Sequence, residues 1–474
     1  MSKISFIVSG GVSLCTYEVG VLTSFYQLFL ENDDVKFEVI GGSSAGAIST
    51  FLFVVSVFYG KNPYFMADSI IKNADIKNLV SKDDRYVLDF DNLVHIFEES
   101  IGEKNRCEFN YGCEECKKYR SLKFCKDKVC ATKTDSDIKM VFNVTTLQPI
   151  LKDIKDTVFS KVFTLRTHNC SFVFDMKNVS EKKLFKILKS SASFPLFFPS
   201  VKYVFKDEDL IEFSDFYKDK KIEIELTDGG VTQNLPLKII FDNIKDSEKI
   251  ILIVPHPDDL KSIIENLQST DKGDFFDSIL KLFDATFYQS YYSDLKLSFE
   301  FNRIEKKLSD LRKKIKESFE NLNEDEKKVV EKFLRGSCLD VKDLGKDLST
   351  GKKIIEIDII SPEKPSEELG GEILKHFGGF FDRRIRYNDF LVGYFDGMEY
   401  CKGLGYRIEP LFDRNNIDKT IGKIEFNKIK NKKILVILFL KFLLSFCYPY
   451  RKNFFIILIM IVLKSTIKIL ENFH

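Results

Sequence analysis

The chain has 474 residues, of which 44% are hydrophobic and 30% charged, with a formal net charge of +1. This composition is globular, and the length suits one large domain with insertions or two to three ordinary ones. The near-neutral charge balance gives no reason to expect nucleic acid as a partner.

The opening "MSKISFIVSGG" lacks a secretory pattern: one lysine precedes a short apolar run that breaks at two glycines. The ten cysteines are therefore expected as reduced thiols or metal ligands in a cytosolic setting, rather than as a disulfide framework.

Ile4 to Val8 is a short run of strand formers that ends at Ser9-Gly10-Gly11. Leu14 to Leu30 reads as a helix, Phe37 to Ile40 as a second strand, and "AGAISTFLFVVSVFY" from Ala45 as an apolar helix. Strand, glycine turn, helix, strand, sharp turn, helix is how a parallel α/β sheet begins. Residues 101–135 break that rhythm with a polar, basic, cysteine-rich insertion.

Strand signals resume in "KMVFNVTTL" and "CSFVFDM", followed by a helix from Glu181 and the segment "SSASFPLFFPSV". The alternating strand "KIEIEL", the turn "TDGG", a helix from Leu235 and the buried-strand run "KIILIV" come next. From about 257 to 350 the pattern is a helical insertion. Ile304, Leu308, Leu311, Ile315, Phe319 and Leu322 form one stripe, which predicts an antiparallel hairpin closing onto Val329, Phe333 and Leu334, with a partner-binding coiled coil as the alternative. A strand in "KKIIEIDII" then returns to the sheet, and "FGGFFDRRIRYNDFLVGYFDGMEYC" predicts a closing helix.

Gly42-Ser43-Ser44-Ala45-Gly46 is a G-x-S-x-G sequence between a strand and a helix, the setting that projects a serine nucleophile. A serine hydroxyl needs a base for its proton and donors for the oxyanion. Asp228 in "LTDGGVTQNLP" ends a predicted strand, and Gly229 and Gly230 let its loop approach another closely. It is expected at the end of a parallel strand, on the sheet edge that also carries Ser44. The chain has five histidines, and His256 in "IVPHPDD", at a strand end, is the alternative base for a Ser-His triad. Gly10 and Gly11 in "SGGVS" offer backbone amides at a helix N-terminus for the oxyanion. There is neither a G-K-[ST] nor a G-x-G-x-x-G sequence, so a phosphate-binding loop does not fit.

Taken in order, "SGGVSLCTYEVGVL", "GGSSAG", "SSASFPLFFPSV" and "DGGVTQNLP" resemble the motifs of the patatin-like phospholipases. The resemblance covers roughly residues 4–260 and resumes through "IIEIDIISPE" and "RRIRYNDFLVGYFDG". It implies a three-layer α/β fold with a mainly parallel central sheet. The implied activity is hydrolysis of phospholipid or other acyl-ester lipids by a Ser44–Asp228 dyad through an acyl-enzyme, with no cofactor required. Gly10, Gly11, Val12 and Ala45 match the family's oxyanion positions, and Gly42, Gly46, Gly229 and Gly230 its supporting glycines. One departure stands out: Leu14 and Cys15 occupy the positions where many members carry Arg and Gly. Backbone donation survives that change. A catalytically inactive scaffold is the non-enzymatic alternative.

Two segments fall outside this pattern. Within the 101–135 insertion, Cys113-x-x-Cys116 is a metal knuckle, and Cys125 with Cys130 would complete four thiolates around a structural zinc. That second pair is spaced more widely than in a zinc ribbon, and Cys107 is left over, so redox chemistry and unpaired thiols stay as alternatives. After a catalytic domain expected over residues 1–430, the tail 431–474 holds two apolar runs, "ILVILFLKFLLSFC" and "FFIILIMIVL", separated by "YPYRKN". Each is shorter than the roughly 20 residues needed to cross hydrocarbon, and joining them would bury Arg451 and Lys452. With seven Lys and Arg in the tail against Glu471, the expectation is a re-entrant or interfacial hairpin on an anionic leaflet, at the cytoplasmic side of a membrane. A hairpin packed on protein is the alternative.

Overall fold

The structure, a computed structural model, describes residues 3–94, 137–156, 161–255, 289–336, 355–363, 369–372, 376–418, 421, 432–448 and 454–472. Excepted within those ranges are 84, 196, 207–208, 210–212, 215–216, 218–219, 248 and scattered positions between 290 and 319. The cysteine-rich insertion, with Cys107, Cys113, Cys116, Cys125 and Cys130, lies outside the described residues, as does His256.

The first strand, β1 (Lys3–Val8), is central, pairing in parallel with β2 (Lys36–Gly42) on one side and β7 (Lys249–Ile253) on the other. Its near-continuous apolar sequence is what a strand covered on both faces requires. Phe6 and Val8 point into the larger core, whereas Ile7 joins a second, smaller one on the opposite face. The larger core packs beneath α1 (Cys15–Glu31) and α2 (Ala45–Tyr59), and the smaller beneath α6 (Leu237–Asn243), which gives helix, sheet, helix.

Strand order is β5-β6-β3-β2-β1-β7-β8, with β4 (Lys161–Asp175) on β3 (Lys139–Asp156) outside that path. The β2–β3, β1–β2, β1–β7 and β7–β8 pairs are parallel, where β8 is Glu356–Ile360. The β3–β4, β3–β6 and β5–β6 pairs are antiparallel, where β5 is Val201–Phe205 and β6 is Ile222–Asp228. Asp228 therefore ends an antiparallel strand, which corrects the expectation of a parallel one. The reason lies in β3, which runs 18 residues, well past the nine predicted. Having used one edge for β2 over Val39–Gly42, it continues and accepts β6 on that same edge, while β4 holds the other. The extended β3–β4 arm leaves Ile154, Phe163 and Leu165 exposed.

The predicted closing helix is interrupted. Gly378–Phe381 (α8) stops at Asp382, whose backbone is extended and whose carboxylate caps Arg384 N at 2.9 Å to start α9 (Arg383–Gly403). Helix α9 lies directly on α1. A Cβ on Gly393 would stand 2.0 Å from the Tyr17 carbonyl oxygen, so glycine sets how closely the two helices cross.

In the helical insertion, Glu324–Gly336 is a helix (α7); Ile304 and Leu311 of the predicted stripe, and Val329 on which the hairpin was expected to close, are exposed. The tail forms α10 (Lys432–Cys447) and α11 (Phe454–Asn472), which pack together through Ile437, Leu444, Met460 and Ile467. Ile434 joins the main core, so the hairpin rests on the domain. Among the described residues, no helix is long and apolar enough to cross a membrane.

Candidate active site

Ser44 occupies the turn between β2 and α2 with φ 56° and ψ −131°, a backbone conformation that side-chain-bearing residues seldom adopt. Such a turn requires bare backbone around it: a Cβ on Gly42 would lie 2.3 Å from the Gly46 carbonyl oxygen, and one on Gly46 would lie 2.4 Å from the Ser9 carbonyl oxygen. The flanking glycines thus let the helix start against β1, which lifts the Ser44 side chain off the strand end.

Ser44 Oγ donates to Asp228 Oδ2 at 2.5 Å, and the other carboxylate oxygen accepts from Gly230 N at 2.7 Å. Asp228 is 1% exposed, and burial pushes its carboxyl up to about 7, against the lowering effect of those two hydrogen bonds. The loop that bears it is held on several sides. Asp228 N and Thr227 Oγ1 both donate to the Ser193 carbonyl, while Asn143 Nδ2 reaches the carbonyls of Gly229 and Gln233. Ser43 Oγ donates to the same Gln233 carbonyl at 3.0 Å, tying the nucleophile turn to the Asp228 loop. Ser191 Oγ fixes the Asn143 carbonyl at 2.6 Å. The "SSASFP" segment therefore serves as the backing of the acid's loop.

The four oxyanion positions divide. Gly10 N donates to Asn234 Oδ1 at 2.8 Å, so its amide is already engaged, contrary to the expectation of a free donor. Gly10 instead provides clearance, because a Cβ there would stand 2.7 Å from Ser44 Cβ. The amides of Gly11, Val12 and Ala45 have no acceptor among the described residues. Val12 has φ 52°, and Val12 and Ala45 line the same pocket as Ser44.

That pocket is almost wholly apolar. Phe90, Leu93, Phe194, Phe198, Phe377 and Phe380 surround it, and its volume is about 30 Å³. Phe90 and Phe198 stack at 4.2 Å between ring centres. Cys15 also lines it as a buried thiol that burial and neighbouring Glu18 push upward, and Leu14 is fully buried. Neither could place a cation at the oxyanion.

Four supporting residues were not singled out from the sequence. Asn234 and Asn143 brace the two loops. Glu18 is fully buried under the glycine turn, where Oε2 accepts from Ser49 Oγ at 2.7 Å and Oε1 has no partner among the described residues. Burial holds its carboxyl well above the usual range. Arg386 is 1% exposed and donates to the carbonyls of Ile71, Gly379 and Phe380 and to Asp75 Oδ2, clamping α8, and with it Phe380, against α3 (Phe65–Asn73). The signal for Asn234 was its place six residues after Asp228 in the same motif. For a glutamate and an arginine inside helical sequence, periodicity gives none.

Of the histidines, His168 Nδ1 pairs with the Thr146 carbonyl, and the His376 carbonyl accepts from Ser13. Neither is bonded to Ser44. Among the described residues no group of His, Cys, Asp and Glu has the makings of a metal site.

Compared with known families, residues 6–241 match the model of the patatin-like phospholipases. This stretch is a patatin-like phospholipase domain. The patatin-like match runs from β1 into α6 and contains both Ser44 and Asp228; β7, β8, α9 and the tail follow it. Comparison with curated proteins finds no match. Among solved structures, the chain is similar to VipD from Legionella pneumophila, with a TM-score of 0.31 and 10% identity over 85% of this chain and 67% of that one.

Proposed function

We propose that the protein is a serine acyl hydrolase of phospholipase A type that cleaves lipid esters with a Ser44–Asp228 dyad. The observation that carries this reading is the direct 2.5 Å hydrogen bond between Ser44 Oγ and a buried Asp228 carboxylate, at the mouth of a phenylalanine-lined pocket. The apolar lining matches the chemistry of an acyl chain, whose burial contributes about 0.8 kcal/mol per methylene.

Ser44 Oγ attacks the ester carbonyl carbon as Asp228 Oδ2 accepts its proton. The amides of Gly11, Val12 and Ala45 receive the negative charge that develops on the carbonyl oxygen. Collapse of the tetrahedral intermediate breaks the ester bond, and Asp228 passes its proton to the departing alcohol. A water then attacks the acyl-enzyme with Asp228 again taking a proton, which returns to Ser44 Oγ as the fatty acid leaves. A carboxyl raised to about 7 is a stronger base than an ordinary aspartate, which favours the first transfer.

The substrate class fits the tail. A basic apolar hairpin resting on the domain suits an enzyme that works from the cytoplasmic side of a membrane, where its substrate is confined. The test is release of fatty acid from phospholipid vesicles. Ser44→Ala and Asp228→Asn should each abolish it while circular dichroism stays native and unfolding stays cooperative; full activity in Asp228→Asn would remove the dyad. Failure of a fluorophosphonate probe to label Ser44 would favour the inactive scaffold instead.

A further inference from the structure

We propose that a lysine-lined cleft, at the seam between the tail hairpin and the catalytic domain, binds phosphate groups at the surface of an anionic phospholipid bilayer. The cleft has a volume of about 640 Å³. Lys77 and Lys82 enter it from α4 (Ile76–Leu79) and the loop that follows, Lys441 from α10, and Lys464 and Lys468 from α11. Among the described residues, no carboxylate lines it.

Five ammonium groups around one opening repel one another. Lys77, Lys82 and Lys468 form no ion pair with a described carboxylate, and the nearby Asp83 is engaged by Arg85. Lys441 is buried, with Nζ donating to the Ser81 carbonyl at 2.7 Å, so one cation is fixed at the cleft wall by the contact that docks the hairpin. Converging cations of this kind raise the local concentration of anions, phosphates above all.

The hairpin's uncovered faces select a bilayer over a soluble anion. Val436, Phe439 and Leu443 are exposed at steps of three and four on α10, and Ile457, Leu458, Ile461 and Val462 are exposed on α11. From Ile457, steps of four, three and four lead through Ile461 to Lys464 and Lys468, so one flank of α11 passes from apolar to cationic. That order follows the descent from phosphate level to acyl chains in a leaflet. One stretch of chain contributes to both sites, lining the acyl pocket through Ala74 and Phe90 and the cleft through Lys77, Ser81 and Lys82. The physiological purpose rests on the lipid-hydrolase reading; the binding itself does not.

The experiment uses the full chain carrying Ser44→Ala, so that vesicles stay intact, and measures co-sedimentation with phosphatidylcholine vesicles with or without phosphatidylserine. Binding should tighten at least about tenfold with phosphatidylserine and weaken in high salt. Lys464→Gln/Lys468→Gln and Lys77→Gln/Lys82→Gln should each return it about tenfold toward the neutral-vesicle level. With Ser44 intact, the same lysine changes should leave hydrolysis of a soluble short-chain ester unaltered. Equal binding to both vesicle types, or anionic binding indifferent to both double substitutions, would overturn the proposal. A thermal shift from inorganic phosphate alone as large as that from anionic vesicles would do so too, by making this a soluble-anion site. Loss of ester hydrolysis in the otherwise native chain would sink the hydrolase reading and leave the vesicle result standing.

Discussion

Asp228 meets Ser44 because their two strands converge end to end on one edge of β3. Strand β2 runs parallel to β3 and pairs up to Gly42 with Phe142; β6 arrives from the opposite direction and ends with Asp228 opposite Val144. One residue of β3, Asn143, separates the two partners, and the gap between the strand ends is filled by the Ser44 turn and the Asp228 loop. Their close approach is therefore fixed by register, and the 2.5 Å hydrogen bond needs no movement to form.

Asp228→Asn tests the base and the cost of its burial together. The folded carboxyl titrates at about 7, against roughly 3.9 in the unfolded chain, so the native state binds more protons in that interval. This contribution to stability is fully present below about pH 4 and is lost as pH rises through 7. The Asn variant lacks that loss, and its unfolding free energy relative to wild type should improve by about 1–3 kcal/mol between pH 5 and pH 8. Wild-type kcat/KM should rise over the same range with its midpoint near 7. Denaturant titrations and initial rates at matched pH check both. A flat rate profile from pH 5 to 8 would contradict the role of the carboxylate.

Asn234→Ala tests whether the first glycine turn is held in place for catalysis. Removing Oδ1 leaves the buried Gly10 amide without its acceptor, at a cost of about 1–3 kcal/mol. If the turn that carries Gly11 and Val12 relaxes, kcat should fall about tenfold or more while KM changes less, since the phenylalanine wall of the acyl pocket is untouched. An equal rise in KM with kcat preserved would place Asn234 in substrate binding instead.

The parts of this site that were legible in the sequence are those written in backbone chemistry. Gly42, Ser44, Gly46 and Asp228-Gly229-Gly230 sit where special dihedrals or close approaches allow few other residues, so their spacing identifies them. The Gly10 amide was misjudged because the same turn that frees Gly11 and Val12 delivers Gly10 to Asn234, a contact across 224 residues. The antiparallel direction of β6 was hidden for a related reason. Nothing in "KIEIEL" fixes strand direction, which follows from β3 outrunning β2 and offering a vacant edge. Helix α9 was placed correctly as an element, yet the break at Asp382 came from a cap that reads as one more charge in "FFDRRIR".

Glu18→Gln distinguishes a neutral buried acid from a charged one. Burial raises this carboxyl, and its Oε1 has no partner among the described residues, so the native chain favours the protonated form. The amide has the same shape and keeps an acceptor for Ser49 Oγ. Its stability should match wild type within about 0.5 kcal/mol at low pH and exceed it as pH rises, because the elevated folded value costs the wild type stability above the unfolded value. Glu18→Ala, which leaves a void beneath Gly11, should cost about 2–3 kcal/mol at low pH and less as pH rises. A Gln variant that is less stable than wild type at alkaline pH would show that Glu18 is ionised in the native state.

Arg386→Met asks what the buried guanidinium does for the pocket. Its donors hold the carbonyls of Gly379 and Phe380 and the Ile71 carbonyl at the end of α3, so the phenylalanine wall formed by Phe377 and Phe380 depends on a clamp outside the pocket itself. Methionine fills much of the volume but leaves these carbonyls and Asp75 without their donor, a loss of about 3 kcal/mol by comparison with other buried charge pairs broken on one side. The catalytic pair is on separate elements and should keep its geometry. Hydrolysis of a short acyl ester should therefore survive in the folded fraction, while KM for long-chain substrates rises as the wall loosens. Equal damage to short and long substrates would assign Arg386 a role in the catalytic pair instead.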